Sequence, residues 1–210
     1  MFNVCPQCGM YSEAKTIDPD GPFAICRHCG YAHPFKRLPV FIVTGASASG
    51  KSAACLQLVP ILPECVVLEC DLFWRGEFDK PETNYREFRN LCLRVAKNIG
   101  QAGRPVVLCG SAVPEQYEAC PERIYFSAMH TVALVCDEKA LRQRLLERPP
   151  WRHSGSSKSI QKQVEFNQWF KTHAAQTQPP ITLLDTSRGS AVSTAGQIAG
   201  WVRQQLLSTD

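Results

Sequence analysis

The chain has 210 residues, 44% of them hydrophobic and 20% charged, with a net charge of +4 at neutral pH. That length holds one α/β domain with a small appendage, and the balance of apolar and charged residues excludes a disordered chain. The weak positive charge suits a protein that handles anionic ligands but falls short of a nucleic-acid-binding surface, and no run reaches the roughly 18 unbroken apolar residues of a membrane span.

The first six residues lack the basic start and apolar stretch of a signal peptide, so the expected location is the cytosol, where thiols stay reduced. Four of the eleven cysteines fall in Cys5-Pro6-Gln7-Cys8-Gly9 and Cys26-Arg27-His28-Cys29-Gly30, two Cys-x-x-Cys-Gly turns separated by 17 residues. Two thiolates three positions apart on a tight turn can reach one tetrahedral ion, and the glycines relieve the turn so that backbone N–H groups can point at sulfur. Cys5, Cys8, Cys26 and Cys29 are therefore candidate ligands of a closed, structural Zn²⁺; the alternative is a pair of reduced surface thiol motifs. Residues 1–37 resemble a zinc ribbon, with strands expected at 10–16 and 22–25. So short a segment buries too little surface to fold without metal.

From Leu38 onward short apolar runs alternate with amphipathic stretches. Strands are expected at 40–44, 65–69, 105–109, 131–136 and 181–184, continuous enough to be buried on both faces. Helices are expected at 51–59, 82–102, 138–147, 160–174 and 191–207. The helix at 82–102 should bury a stripe of Tyr85, Phe88, Leu91, Cys92, Val95 and Ile99, leaving Arg86, Asn90, Arg94 and Lys97 on a solvated face. This alternation predicts an α/β fold, a doubly wound parallel sheet spanning residues 38–210. The other seven cysteines (Cys55, Cys65, Cys70, Cys92, Cys109, Cys120, Cys136) sit mostly among apolar residues and read as packing.

Between the first of these strands and the helix after it lies Gly45-Ala46-Ser47-Ala48-Ser49-Gly50-Lys51-Ser52, a Gly-x4-Gly-Lys-Ser octet in the strand–loop–helix context that a phosphate-binding loop needs. Its glycines let successive N–H groups curl around phosphate oxygens, and the helix adds the positive end of its dipole. Lys51 should reach the β- and γ-phosphates of ATP, and Ser52 should place its hydroxyl on Mg²⁺. No Asn-Lys-x-Asp guanine-reading element follows. Asp137 reads as the cap of helix 138–147 rather than a metal site.

Glu69 and Asp71 lie two apart at the carboxyl end of the second strand, the edge of an open parallel sheet where ligands bind. Asp71 is the candidate base or orienting carboxylate for an acceptor hydroxyl; the alternative is a loop cap. Arg144 and Arg148, at i and i+4, and Arg152 in the loop beyond Pro149 flank the polar stretch 154–157. They read as lid arginines that neutralise transferring phosphate.

Together these motifs resemble the small-molecule P-loop kinases, the nucleoside, nucleotide, gluconate, shikimate and adenylylsulfate kinases. The resemblance implies a three-layer fold with five parallel strands in the order 2-3-1-4-5, an ATP donor and Mg²⁺. It also makes Asp71 the acceptor-side aspartate, puts residues 185–187 near the adenine and puts 110–118 on the acceptor side. The expected activity is ATP-dependent phosphoryl transfer to a small hydroxyl or phosphate acceptor, nucleosides and nucleotides slightly favoured. The rival is a regulatory or nucleic-acid-associated ATP-binding protein that binds through the ribbon, where Arg27, His28, Tyr31, His33, Phe35, Lys36 and Arg37 form a short basic and aromatic cluster. No membrane partner is expected, and the sequence does not set the oligomeric state.

Overall fold

The computed structural model describes residues 2–18, 20–149 and 154–208. Two sheets organise them. The smaller is an antiparallel β1-β2-β3 sheet of Thr16–Ile17, Phe23–Ile25 and Ala32–Pro34. The expected strand at 10–16 forms only at its end, because the chain beside the first Cys turn is held by a single bridge between Val4 and Tyr11. Strand β3 carries no apolar alternation that would announce it.

The larger sheet has five parallel strands in the order β5-β6-β4-β7-β8, with β4 at Val40–Gly45, β5 at Val66–Glu69, β6 at Val106–Cys109, β7 at Met129–Val135 and β8 at Ile181–Asp185. This is the expected 2-3-1-4-5 order, and the strand ends differ from expectation by a residue or two. The central strand β4 is buried throughout. Its side chains alternate between two cores: Phe41 and Val43 join Leu58, Leu62, Ile198 and Val202 on one face, while Val40 and Ile42 join Leu93, Ala96 and Tyr117 on the other. Helices α1 (Lys51–Leu58) and α6 (Ala191–Leu207) supply the first layer, and α2 (Arg86–Gly100) supplies the second. Helix α5 (Ser157–His173) covers β7 and β8, α4 (Glu138–Leu146) packs on α5 just past β7, and a short α3 (Pro114–Glu118) follows β6. Among the described residues no helix is long and apolar enough to cross a membrane.

Three local expectations change. Helix α2 starts at Arg86, after a 3-10 turn at Pro81–Thr83 and left-handed backbone at Asn84 and Tyr85. Its buried face is Arg89, Cys92, Leu93, Ala96, Lys97 and Gly100, rotated from the expected stripe. Lys97 is buried and Arg94 half-buried rather than solvated: both bond the fully buried Glu122, and Lys97 also donates to Asn3 Oδ1 at 2.8 Å. Helix α5 begins earlier than expected because the Ser156 hydroxyl caps it, accepting from the Ser159 N–H at 3.1 Å. Finally, the reading of all seven outer cysteines as packing thiols fails for two. The buried face of α1 meets β6, and there Cys55 and Cys109 are joined by a disulfide.

Candidate functional site

The loop after β4 takes its shape from three residues with positive φ, Gly45 (+142°), Ala48 (+65°) and Gly50 (+101°). A Cβ at Gly45 would lie 2.5 Å from the Leu134 carbonyl oxygen and 2.7 Å from Ser49 Oγ, so the close approach of β7 admits only glycine. Gly50 opens α1 with no side-chain cap, which leaves the first N–H groups of the helix without an internal partner. Lys51 curls over the loop and donates to the Gly45 and Ala46 carbonyls at 2.8 and 2.9 Å. These partners are neutral, and no direct ion pair to Lys51 occurs among the described residues. Burial pulls the Lys51 amine down to about 8, with Arg148 adding to that and Asp71 and Glu69 opposing it. A concave backbone with a helix N-terminus and an ammonium bonded only to backbone carbonyls fits a phosphate chain. The α5 side chain Gln163 also reaches in, its Oε1 accepting from the Ser47 N–H at 2.7 Å.

Lys51, Glu69 and Asp71 line one cavity of about 740 Å³. Glu69 ends β5 and accepts a hydrogen bond from the Ser52 hydroxyl, which brings two hard oxygen donors of the kind Mg²⁺ prefers to one point. Asp71 does not continue the strand. It sits in a 3-10 turn, Cys70–Phe73, closed by the Trp74 N–H donating to the Asp71 carbonyl at 3.2 Å. The strand-alternation argument for its direction therefore stops at Glu69, yet the turn still delivers Asp71 to the same cavity.

Arg144 and Arg148 reach this cavity too. Arg144 is anchored: it donates to the Thr186 carbonyl at 2.7 Å, and the Thr186 hydroxyl donates to the Ser49 carbonyl at 2.9 Å. The segment after β8 is thereby tied to the 45–52 loop through the Thr186 hydroxyl and to α4 through Arg144. Helix α4 stops at Leu146, so Arg148 follows the helix rather than ending it. Arg152 lies outside the described residues. Asp137 caps α4 as expected, accepting from the Ala140 N–H at 2.8 Å.

Ser111 and Tyr117 of the expected acceptor-side segment 110–118 also line the cavity, whereas the lining residues Trp74, Tyr85, Phe88 and Arg89 escaped sequence reasoning. The Ser111 hydroxyl donates to the Gly45 carbonyl at 3.0 Å. The expected stripe counts Tyr85 and Phe88 as core, because a periodic aromatic on a helix signals burial in general and not what covers it. A buried arginine has no periodic signature at all.

Away from the cavity, the sulfur atoms of Cys5, Cys8, Cys26 and Cys29 all lie within 4.8 Å of one another. The Cys5–Cys29 and Cys8–Cys26 sulfurs are 3.6 and 3.8 Å apart. A tetrahedral zinc with bonds of about 2.3 Å separates its sulfurs by about 3.8 Å, so the donor set and spacing fit that ion. Gly9 and Gly30, at φ +71° and +73°, close the two turns by donating to Cys5 and Cys26 carbonyls. Backbone N–H groups of Cys29 and His28 pull the Cys26 thiol down to about 6. The basic and aromatic cluster of this region is partly consumed by packing. Phe35 is buried against Phe2 and Tyr125, and His33 stacks on Phe2 at 5.0 Å beside Lys15.

A scan of protein-family models matches none to this chain, and a search of curated protein sequences also finds no match. Solved structures do match in fold. A sugar kinase from Janibacter sp. HTCC2649 superposes with a TM-score of 0.61 at 16% identity, covering 79% of this chain and 95% of that one. Shikimate kinase from Acinetobacter baumannii, solved with shikimate, gives 0.53 at 18% identity over 82% and 95%. The Mycobacterium tuberculosis APS kinase, solved with AMPPNP and APS, gives 0.50 at 14% identity over 80% and 98%. At these identities the likeness is one of fold.

Proposed function

We propose that this chain is an ATP-dependent phosphotransferase whose acceptor is a small molecule with a hydroxyl or phosphate group, nucleosides and nucleotides slightly favoured. The observation that carries this reading is one cavity holding the Lys51 loop together with Glu69 and Asp71. Fold likeness to sugar, shikimate and APS kinases supports it.

Mg²⁺·ATP, when bound, supplies the transferable phosphoryl group. Residues 45–52 would cradle its phosphates, with Lys51 placing its charge on the β/γ oxygens and Ser52, beside Glu69, holding the metal. Asp71 orients the acceptor hydroxyl or takes its proton. Arg144, Arg148 and Arg152 neutralise charge as it develops on the phosphoryl oxygens. Residues 1–37 form the unit that holds structural Zn²⁺, and residues 38–210 form the phosphotransferase unit. We place the protein in the cytosol, a reducing compartment in which the Cys55–Cys109 bond would be open to reduction.

ATP consumption measured against a panel of nucleosides, nucleotides, sugars and sugar acids tests this. At least one acceptor should raise consumption over the unassisted rate by roughly 10²-fold or more, and Lys51→Ala should remove that gain. A panel in which no acceptor produces Lys51-dependent consumption would count against the activity.

A further inference from the structure

Helix α2 buries a cation beside the cavity without giving it an anion. Arg89 is 5% exposed. One of its terminal nitrogens, Nη1, donates to the Asn84 carbonyl, and its guanidinium carbon lies 5.4 Å from the centre of the Tyr85 ring. Its Nε is buried with no hydrogen-bond partner. No carboxylate among the described residues pairs with it. Burial lowers its pKa, and the groups facing it are the neutral side chains of Tyr117, Cys120, Cys92 and Tyr85. A guanidinium out of water, with an orphaned donor and no counter-charge, is destabilising unless something else completes it. No group among the described residues does.

The same side chain lines the 740 Å³ cavity next to an aromatic wall. Trp74 meets Phe88 edge-on at 5.1 Å and Tyr85 at 6.0 Å between ring centres. With Nη1 committed to Asn84, the Nε edge of the fork is what remains for a second partner, and two oxygens on one centre match that edge.

We propose that Arg89 anchors an oxyanion on the acceptor, a carboxylate or a phosphoryl group, on a compact molecule whose apolar face rests on Trp74, Tyr85 and Phe88. Calling that molecule the acceptor rests on the phosphotransferase reading. The anion site itself rests on the burial of Arg89, its orphaned Nε and its place on the cavity wall. Arg89 thus sets which acceptors enter, and it takes no part in moving the proton.

Ligand-observed NMR on the zinc-loaded full chain, with Mg²⁺·ADP added to occupy the 45–52 loop, tests the site directly. The probes are benzoate, phenyl phosphate and the neutral benzyl alcohol. At least one anion should bind about tenfold or more tighter than benzyl alcohol, and the better of the two names the anion. Arg89→Met should erase that preference, leave benzyl alcohol unchanged and keep or raise the melting temperature, since an uncompensated buried charge is gone. Arg89→Lys should keep part of the preference, having charge but no fork. Equal binding of all three probes by the unaltered protein would overturn the assignment. So would an Arg89→Met protein that keeps the preference, fails to fold, or melts several degrees lower with binding unchanged. Because binding is read without turnover, anion binding in a protein that transfers no phosphoryl group would count against the phosphotransferase reading alone.

Discussion

Lys51 holds a charge in a place that disfavours it. Its pKa falls from the ordinary 10.5 to about 8, so at neutral pH the folded chain keeps it protonated at a cost. The sign follows: the penalty is full below about 8 and disappears as pH rises from there to 10.5, where the unfolded chain also loses the proton. Lys51→Met should therefore raise the melting temperature of the ligand-free protein near pH 7, and the gain should fade across that window. A gain that persists unchanged at pH 10.5 would assign the effect to packing. Solvent at this partly exposed side chain makes the gain smaller than the whole shift implies. Phosphate reverses the balance, so nucleotide binding near pH 8 should take up a proton, visible by calorimetry in buffers of different ionisation heat. Asp71 offers a cleaner separation of roles. Asp71→Asn should leave ATP affinity nearly unchanged while turnover falls by roughly 10²–10⁴. A loop cap would instead lose about 1 kcal/mol or less of stability and keep its rate. That both residues line the cavity was legible, Lys51 from the phosphate-loop octet and Asp71 from its place just past the second strand. Arg89 was not, since burial of a cation depends on neighbours far along the chain.

Helix α2 serves two sites. Its N-terminal end gives Phe88 and Arg89 to the cavity, and its C-terminal half gives Arg94 and Lys97 to Glu122. The Lys97–Glu122 pair, 2.6 Å long with both side chains at most 1% exposed, is completed by Asn3 and by the Phe2 and Tyr125 rings 4.7 and 4.3 Å from the ammonium. Removing one charge should cost far more than the pair is worth. We expect Glu122→Gln to destabilise by about 3–5 kcal/mol, and adding Lys97→Met to that variant to recover part of the loss, measured by denaturant unfolding. Additive losses would show that the two charges do not depend on each other. The amphipathic pattern told where α2 lies but not which way it faces. Its cations looked solvated because their partner, Glu122, is 25 residues away from Lys97 in a 3-10 turn with no periodicity to flag it. The central strands β4 and β6 were legible for the opposite reason: buried on both faces, they must be apolar throughout, whereas the edge strand β8 is largely exposed.

Across the whole molecule, the purified chain should carry about one zinc, and Cys26→Ser should release it. A metal assay that finds none in protein prepared without chelators would remove the ribbon reading. Loss of the ion should also lower the melting temperature of the remainder. Residues 2 and 3 pack on Tyr125 and Lys97, so disorder at the N-terminus would uncover a buried ion pair. The two paired Cys turns and the phosphate-loop context were plain in the sequence, whereas the surface along which the two sheets meet is made of single residues with no motif. That surface has a practical consequence for any assay. A batch short of metal would keep the 45–52 loop, which β4 and α1 hold without help from the first 37 residues, while Lys97 at the far end of α2 lost its Asn3 and Phe2 contacts. If the chain is the phosphotransferase proposed above, such a batch would pass a nucleotide-binding test and still perform badly with acceptor, so zinc content belongs beside every rate measured on it.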